Sequence, residues 1–298
     1  MAEKHILHML SPLKHMSPFD VNMALDAGYD AVLPYTSVTL DEVSGLVQDA
    51  IFSRPPNDGV KTGIFFAGKD TVLALDMMEA AKAAMVPPFA ISLLADPAGS
   101  FTTAAAMAAV AEKVLREARK TTLKDKRVVV FGATGVVGFC SAVIAAGEGA
   151  RVTLVGHDGP DRVRKSAAEI LKRFNLKTDY ADGGTADLRT HVLKDAEVAF
   201  CAGRAGTRIL SAADLAAARQ LVVAADVNAV PPSGIESLDL FASGVAIPGT
   251  HVLGIGPLAI GNVKYQTESG LFQEMIKAAK PVSYDFRDAF KLARKLAG

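Results

Sequence analysis

The sequence has no excess of charge of either sign and little cysteine. Lysine plus arginine and aspartate plus glutamate both total 32. The strongly basic balance of nucleic-acid-binding proteins is therefore absent, and a small-molecule partner is expected instead. The two cysteines, Cys140 and Cys201, form no CxxC pair. This argues against a disulfide framework and a thiolate metal site, and it fits a reducing cytoplasm.

Long apolar runs are also absent. The opening residues MAEKHILHML contain no stretch of signal-sequence length, and no later run approaches the ~18 apolar residues of a membrane span. We therefore expect a cytoplasmic protein that does not bind a membrane.

Several catalytic motifs are missing as well. The sequence contains no HExxH, GxSxG or Walker A motif, and its six histidines are scattered, so no metal site is predicted. A dehydrogenase that oxidises an alcohol needs a general acid or base to move the hydroxyl proton. No obvious proton relay is present, which favours a reaction that transfers hydride without a proton.

The pattern of apolar residues predicts an α/β protein with two domains. In the first third of the 298 residues, short apolar runs alternate with helical patterns, as in βαβ units with a mainly parallel sheet. A helical stretch at 100–120 leads into a polar segment, and the alternation then starts again. We predict an N-terminal α/β domain at 1–120 and a Rossmann-type dinucleotide-binding domain at 121–264. The closing helices at about 265–298 are expected to pack back on the first domain.

Local signals place individual elements. Ser17, Thr39 and Asp70 precede helical patterns and are predicted to be N-caps. In the second half, the alternation predicts the following elements: strand 127–131, helix 136–148, strand 151–155, helix 160–174, strand 197–201, helix 211–218, strand 220–224, and helices 265–279 and 284–297.

The segment GATGVVG joins an apolar strand to a helix. The strand ends at Gly132, and the helix begins near Val136. Backbone N–H groups at such a helix start bind a pyrophosphate, while glycines allow the ligand and the strand to approach closely. The spacing departs from GxGxxG, and a tight turn that binds nothing is the alternative reading. The residues expected to contact the cofactor here are Gly132, Thr134, Gly135, Val136, Val137 and Gly138.

The second strand of this unit ends in His157 and Asp158. An acidic residue at this position favours NAD, whereas an arginine holds the 2′-phosphate of NADP. A neutral histidine can donate to a phosphate and does not repel an unphosphorylated ribose, so we predict that both NAD and NADP are used. Two alternatives stay open: Asp158 turns inward and favours NAD, or His157 is only a solvated loop residue.

Five segments together resemble one family. They are SPLKHMSPFD (11–20), ADPAGSFTTAA (95–105), GATGVVG (132–138), AADVNAVPP (224–232) and GIGPLAIGNVKYQ (254–266). The chain is similar to the bacterial methylene-tetrahydromethanopterin dehydrogenases of one-carbon metabolism, and most similar to the branch that accepts NAD and NADP. The resemblance implies oxidation of methylene-tetrahydromethanopterin to the methenyl form, with methylene-tetrahydrofolate as a lesser substrate. It also implies a homo-oligomer, with trimer and hexamer both open.

The resemblance also implies a pterin site in the cleft between the domains. Phe19 is expected to stack on the pterin or its aryl group, and Asp20 or Asp96 to accept from pterin N–H groups. Lys264 and Asp20 are the expected catalytic residues, which orient the substrate without acid–base chemistry. Core, capping and solvated roles are the alternatives for these residues. The expected substrate-binding set is Lys14, His15, Phe19, Asp20, Asp96, Ser100, Thr102, Thr103 and Lys264.

Two further loops are expected near the nicotinamide half of the cofactor. Ala202 and Gly203 follow one strand and allow close approach, and Asn228 is expected to bond the carboxamide or ribose. Asp226 is expected to do the same or to hold the turn, and Gly256 completes the cofactor-binding set. A shikimate-dehydrogenase-like enzyme and an NAD(P)-sensing binding protein without turnover are the competing readings.

Overall fold

The computed structural model describes residues 4–298, which form two compact units. The first unit spans Met1–Thr102, of which residues from 4 onward are described, together with Tyr265–Leu292. The second unit spans Thr103–Lys264 and Ala293–Gly298. The division falls inside a long helix, whereas the sequence placed it after residue 120. Within the second unit, later turns of this helix bond to the C-terminal residues, through Arg116 to Gly298 and through Glu112 to Arg294.

The sheet of the first unit has five strands, all parallel, in the order β12-β4-β3-β1-β2. The central strands β3 and β4 are buried along their whole length, as expected for a parallel sheet covered on both faces. The predicted parallel sheet is therefore confirmed, although β12 was not predicted. The strands are β1 (Ile6–Leu10), β2 (Ala31–Tyr35), β3 (Thr62–Phe66), β4 (Ser92–Ala95) and β12 (Ser283–Tyr284).

Helices α1 (Pro18–Ala27), α2 (Val43–Phe52) and α3 (Thr71–Ala84) belong to the first unit, with short 3₁₀ turns at Pro56–Lys61 and Pro97–Gly99. The predicted caps Ser17 and Asp70 are confirmed, because each side chain accepts a hydrogen bond from the helix it precedes. The prediction for Thr39 is wrong. Its hydroxyl donates to Glu42, 2.8 Å away, and α2 begins only at Val43.

Three further helices have residues in both units: α4 (Ser100–Arg119), α9 (Pro257–Lys277) and α10 (Phe286–Ala297). Within the first unit, the ring of Phe272 on α9 packs against Phe65 of β3, with centroids 5.6 Å apart. The predicted start of α9 at 265 is wrong. The helix begins at Pro257, because proline is well suited to a first helical turn and the glycines that follow do not break it.

The second unit contains a seven-stranded sheet in the order β10-β11-β9-β8-β5-β6-β7. Only β10 is antiparallel. From β5 the chain adds β6 and β7 toward one edge of the sheet, and it then returns to add β8 on the other side of β5. The position between β5 and β8 is the topological switch point of a Rossmann fold. The strands are β5 (Arg127–Phe131), β6 (Arg151–Gly156), β7 (Asp179–Asp182), β8 (Val198–Cys201), β9 (Val223–Asp226), β10 (Ser243–Ala246) and β11 (Leu253–Ile255).

Four helices belong entirely to the second unit: α5 (Val136–Gly147), α6 (Asp161–Phe174), α7 (Ala186–Leu193) and α8 (Ala212–Ala217). The sequence did not predict β7 and α7, because β7 is the half-exposed polar segment DYAD and contains no apolar run. The edge strand β10 and its neighbour β11 were missed as well. Across the residues that the structure describes, every helix is too short or too polar to cross a bilayer.

Candidate functional site

The glycine-rich turn joins β5 to α5 as predicted. Gly132 has a φ of +75°, and a Cβ there would lie 2.2 Å from the carbonyl oxygen of Ala202, so only glycine fits. A Cβ on Gly138 would lie 2.4 Å from the Gly132 carbonyl oxygen. Because glycine has no Cβ, α5 can start close to the strand. Gly135 is the N-cap of α5. The first N–H groups of α5 are therefore available to an anion at this turn.

A pocket of about 850 Å³ lies beside this turn, at the carboxyl ends of β5, β6 and β8. The location is the one expected for a dinucleotide in a Rossmann fold. The predicted cofactor residues that line it are Gly132, Thr134, Gly135, His157, Ala202 and Gly203. Other predicted cofactor residues are not among the lining residues, namely Val136, Val137, Gly138, Asp158, Asp226, Asn228 and Gly256.

Four arginines that the sequence reasoning missed also line the pocket: Arg162, Arg189, Arg204 and Arg208. Two of them adjoin predicted positions: Arg204 directly follows Gly203, and Arg162 lies in the first turn of the helix predicted after His157. Arg189 was missed because α7 was missed. Arg189 pairs with the buried Asp214 at 3.3 Å, and the Nε of Arg208 donates to the carbonyl oxygen of Ser233 at 2.8 Å. The pocket wall thus carries four guanidinium groups, which are suited to bind the phosphates of a ligand.

At the tip of β6, the carboxylate of Asp158 lies between two other side chains. Its Oδ1 is 3.8 Å from Nδ1 of His157, and its Oδ2 is 3.5 Å from Nη1 of Arg162. The imidazole of His157 is 83% exposed. All three groups can therefore reorient toward a ligand without losing a buried contact.

Asp226 and Asn228 organise the loop after β9. Asp226 is fully buried, and its carboxylate accepts hydrogen bonds from the backbone N–H groups of Asn228 (3.0 Å) and Ile235 (3.1 Å). Burial raises the pKa of Asp226, and backbone hydrogen bonds and Arg208 oppose this shift in part. Burial also raises the pKa of the neighbouring Cys201 thiol. The contacts of Asp226 match the turn-holding role named as its alternative.

In the first unit, Asp96 is fully buried and caps the start of α4. Its Oδ1 accepts from the backbone N–H of Phe101 at 2.7 Å, and its Oδ2 accepts from the Thr102 hydroxyl at 2.5 Å. Thr102 is buried, while Ser100 and Thr103 are half-buried in the same first turn. The structure thus brings together the predicted residues Asp96, Ser100, Thr102 and Thr103, with Asp96 and Thr102 engaged in capping.

The segment before α1 and the first turn of α1 carry four more of the predicted substrate residues. Lys14 and His15 are exposed, and Asp20 is buried inside the first turn of α1. Phe19 is 48% exposed and packs edge-on against Tyr265, with ring centroids 6.4 Å apart. An aromatic face that is half-open in this way is available for stacking on a planar ligand.

Lys264 lies inside α9 and not ahead of it, because α9 begins at Pro257. Its side chain is half-buried. Gly256 immediately precedes the helix, and its N–H donates to the carbonyl oxygen of Ala242 at 2.8 Å. Gly256 therefore joins the start of α9 to the residues before β10.

Comparison with known proteins identifies the family. A family model described as "Methylene-tetrahydromethanopterin dehydrogenase, N-terminal" matches residues 18–98. Over 295 residues the chain is 54% identical to the NAD(P)-dependent methylenetetrahydromethanopterin dehydrogenase of Methylorubrum extorquens, and the match covers 99% of both chains. The chain belongs to the methylene-tetrahydromethanopterin dehydrogenase family. The resemblance found in the five sequence segments is thereby confirmed.

Other relatives of this family member are more distant. The chain is 33% identical to the bifunctional protein MdtA of the same organism over 281 residues, covering 94% of this chain and 95% of MdtA. Among solved structures, 5-ketofructose reductase of Gluconobacter has a TM-score of 0.54 at 14% identity, covering 99% of this chain and 100% of the reductase. Shikimate 5-dehydrogenase of Listeria monocytogenes has a TM-score of 0.52 at 12% identity, covering 92% of each. These structures confirm the α/β fold class and, at such identities, nothing beyond it.

Proposed function

We propose that this protein is an oxidoreductase that transfers hydride reversibly from methylene-tetrahydromethanopterin to NAD(P)⁺, giving the methenyl form. The observation that carries the proposal is 54% identity over almost the whole chain to an enzyme named for this activity. The Rossmann pocket beside GATGVVG supports it, because this pocket has the glycine turn, the helix N-terminus and the arginine side chains that suit a dinucleotide.

The residues of the pocket fit NAD(P) at three points. The backbone at Gly132 and Gly135, with the start of α5, would bind the pyrophosphate, and the absence of a Cβ leaves room for it. Ala202 and Gly203 would pass close to the nucleotide, and His157 would lie beside the adenosine ribose. When bound, the nicotinamide supplies the hydride acceptor. The pocket geometry supports NAD and NADP alike, because the tip of β6 has an exposed acid and an arginine side by side and neither occurs there without the other.

We further propose that the first unit binds the pterin. The reacting carbon lies between two nitrogens, so loss of hydride leaves a cation that the substrate itself delocalises. The protein then has to orient the substrate and exclude water, and no general acid or base is required. Asp20 would orient the pterin, with Phe19 stacking on it. Lys14 or His15 would bind its acidic tail. Lys264, which directly precedes Tyr265 of the first unit on α9, is the second proposed orienting residue.

A direct assay tests the proposal. The purified protein is incubated with NAD⁺ or NADP⁺ and with methylene-tetrahydromethanopterin, methylene-tetrahydrofolate or shikimate, and formation of the reduced nicotinamide is followed. We expect reduction of both cofactors with the methanopterin, slower reduction with the folate and none with shikimate. Cofactor binding without reduction by either methylene-pterin would favour a sensing protein and contradict the proposal.

We also propose that the protein works in the cytoplasm as a homo-oligomer. Cys140 and Cys201 are both buried free thiols, which suits a reducing compartment. Light scattering coupled to size exclusion measures the mass of the assembly directly. A mass equal to the 31.2 kDa of one chain would contradict the oligomer.

A further inference from the structure

Arg162 connects the tip of β6 to the glycine-rich turn. It is the second residue of α6, and its guanidinium donates from Nη2 to the Thr134 hydroxyl at 3.4 Å and from Nη1 to Asp158 at 3.5 Å. Both contacts are long, and the side chains of Arg162 and Asp158 are 58% and 48% exposed. Such contacts are weak and exchange easily for a stronger anionic partner.

We propose that Arg162 binds the 2′-phosphate of NADP(H), and that Asp158 is its counter-ion when this phosphate is absent. The inference rests on the proposed function, since it assumes that the pocket binds NAD(P). With NADP(H), the guanidinium turns from Asp158 to the phosphate, for which its planar fork is well suited. With NAD(H), Asp158 accepts hydrogen bonds from the ribose hydroxyls while Arg162 neutralises it.

The other pocket arginines are less suited to this role. The guanidinium of Arg189 is held by the buried carboxylate of Asp214, and that of Arg208 by Ser233 and Glu236. Arg204 follows β8, and β5 separates β8 from β6 in the sheet. Strands lie about 5 Å apart, so the end of β8 is roughly 10 Å from the tip of β6. Among the four pocket arginines, Arg162 is thus the one on the helix that directly follows the ribose-reading strand.

This arrangement accounts for the use of two cofactors by one site. A lone acid at the tip of β6 would repel the 2′-phosphate, and a lone arginine would leave an NAD ribose without an acceptor. Here an acid and an arginine stand side by side, and each cofactor engages a different member of the pair. His157, exposed on the far side of Asp158, adds a second donor for the phosphate.

Binding of small fragments separates this inference from the proposed function. The affinities of full-length protein for 2′,5′-ADP, 5′-AMP, NADP⁺ and NAD⁺ are measured by calorimetry for wild type, Arg162→Ala, Arg162→Lys and Asp158→Asn. The matched control is Arg164→Ala, an exposed arginine on the same helix that pairs with Asp161 and does not line the pocket. Circular dichroism checks that each variant is folded.

We expect Arg162→Ala to lower the affinity for 2′,5′-ADP relative to that for 5′-AMP by about tenfold or more, because a charge-assisted hydrogen bond to the phosphate is lost. Arg162→Lys should keep part of the preference for 2′,5′-ADP over 5′-AMP. Asp158→Asn should shift the ratio of the NADP⁺ and NAD⁺ affinities toward NADP⁺. Arg164→Ala should leave the ratio as in wild type. An equal loss for both fragments, or no loss, would overturn the role of Arg162 even if the enzyme turns over. Failure of the wild type to bind any of the four would overturn the proposed function and this inference together.

Discussion

The side-chain oxygen of Asn228 lies 3.3 Å from the backbone nitrogen of Gly206 and accepts its hydrogen bond. The same oxygen accepts from the N–H of Val230 at 2.9 Å, and the side-chain nitrogen donates to the carbonyl oxygen of Pro232 at 3.0 Å. Asn228 thereby joins the loop after β9 to the loop after β8. Since the loop after β8 carries pocket residues 204 and 207–209, Asn228 acts on the site by holding its wall.

Replacing Asn228 should therefore affect stability and cofactor binding together. Asn228→Ala loses all three hydrogen bonds, so we expect the free energy of unfolding to fall by about 2 kcal/mol and the KM for NAD(P)⁺ to rise. Asn228→Asp keeps the acceptor for Gly206 and Val230 but places a carboxylate oxygen against the Pro232 carbonyl oxygen, near the buried Asp226, so its loss of stability should be at least as large. Urea unfolding and steady-state kinetics measure the two quantities. An unchanged KM in Asn228→Ala would argue against this positioning role.

Two glycines with nearly the same backbone conformation permit a matched comparison. Gly132 has φ +75° and would place a Cβ 2.2 Å from the Ala202 oxygen, whereas Gly249 has φ +76° and nothing within 4 Å. Gly249→Ala carries only the backbone strain, about 1 kcal/mol. Gly132→Ala carries the clash as well, so we expect a larger loss of stability and severe loss of nucleotide binding. Equal losses in thermal unfolding and in NAD⁺ titration would show that the close approach at Gly132 is unimportant.

Asp96 offers a choice between a capping role and a substrate role. Because its carboxylate bonds Phe101 and Thr102 at the start of α4, Asp96→Ala should lower the free energy of unfolding by about 2 kcal/mol. Ser100→Ala, in the same turn, should change it by less than about 0.5 kcal/mol. If Asp96→Ala instead leaves stability unchanged and raises the KM for the pterin, the carboxylate serves the substrate as the sequence first suggested.

Within the second unit, Arg294 joins the end of α10 to α4 and to the end of α5. Its Nε donates to the buried Glu112 at 2.7 Å, and its Nη2 donates to Glu148. Arg294→Met leaves the charge of Glu112 without this partner, so we expect a loss of about 3 kcal/mol in the free energy of unfolding. The double variant Arg294→Met/Glu112→Gln should recover a substantial part of that loss. A loss in the double variant that equals the sum of the two single losses would exclude the coupling.

The stability of the protein should depend on pH through His8. Burial, and then the positive charge of Arg54, lower the pKa of His8 below its ordinary value of 6.5. The unfolded chain therefore binds a proton at His8 more readily than the folded chain does, and stability decreases as the pH falls below 6.5 toward the folded pKa. In His8→Gln this part of the decrease should vanish. Urea unfolding at several pH values measures the slopes, and identical slopes in both proteins would refute the assignment.

Parts of the site could be predicted because their signals are local. GATGVVG lies between an apolar strand and a helix, so the turn from Gly132 to Gly138 followed from a few adjacent residues, as did the lining positions His157, Ala202 and Gly203. Arg162, Arg189 and Arg208 could not be selected in this way. An arginine on a helix or in a loop has the same sequence signature whether or not it faces a pocket, and the pocket forms only when β5, β6 and β8 are side by side.

The sequence by itself determined the alternation of strands and helices, the Rossmann turn and the family, because periodicity, glycine spacing and motif identity are properties of neighbouring residues. Tertiary structure alone decided the rest. It placed β12 beside β4, directed Asp96 to the start of α4, and used Asp226 and Asn228 to hold loops. It also set Asp158 between His157 and Arg162. These outcomes depend on which polar groups become buried and which partners then lie within hydrogen-bonding distance, and residues far apart in the chain settle both.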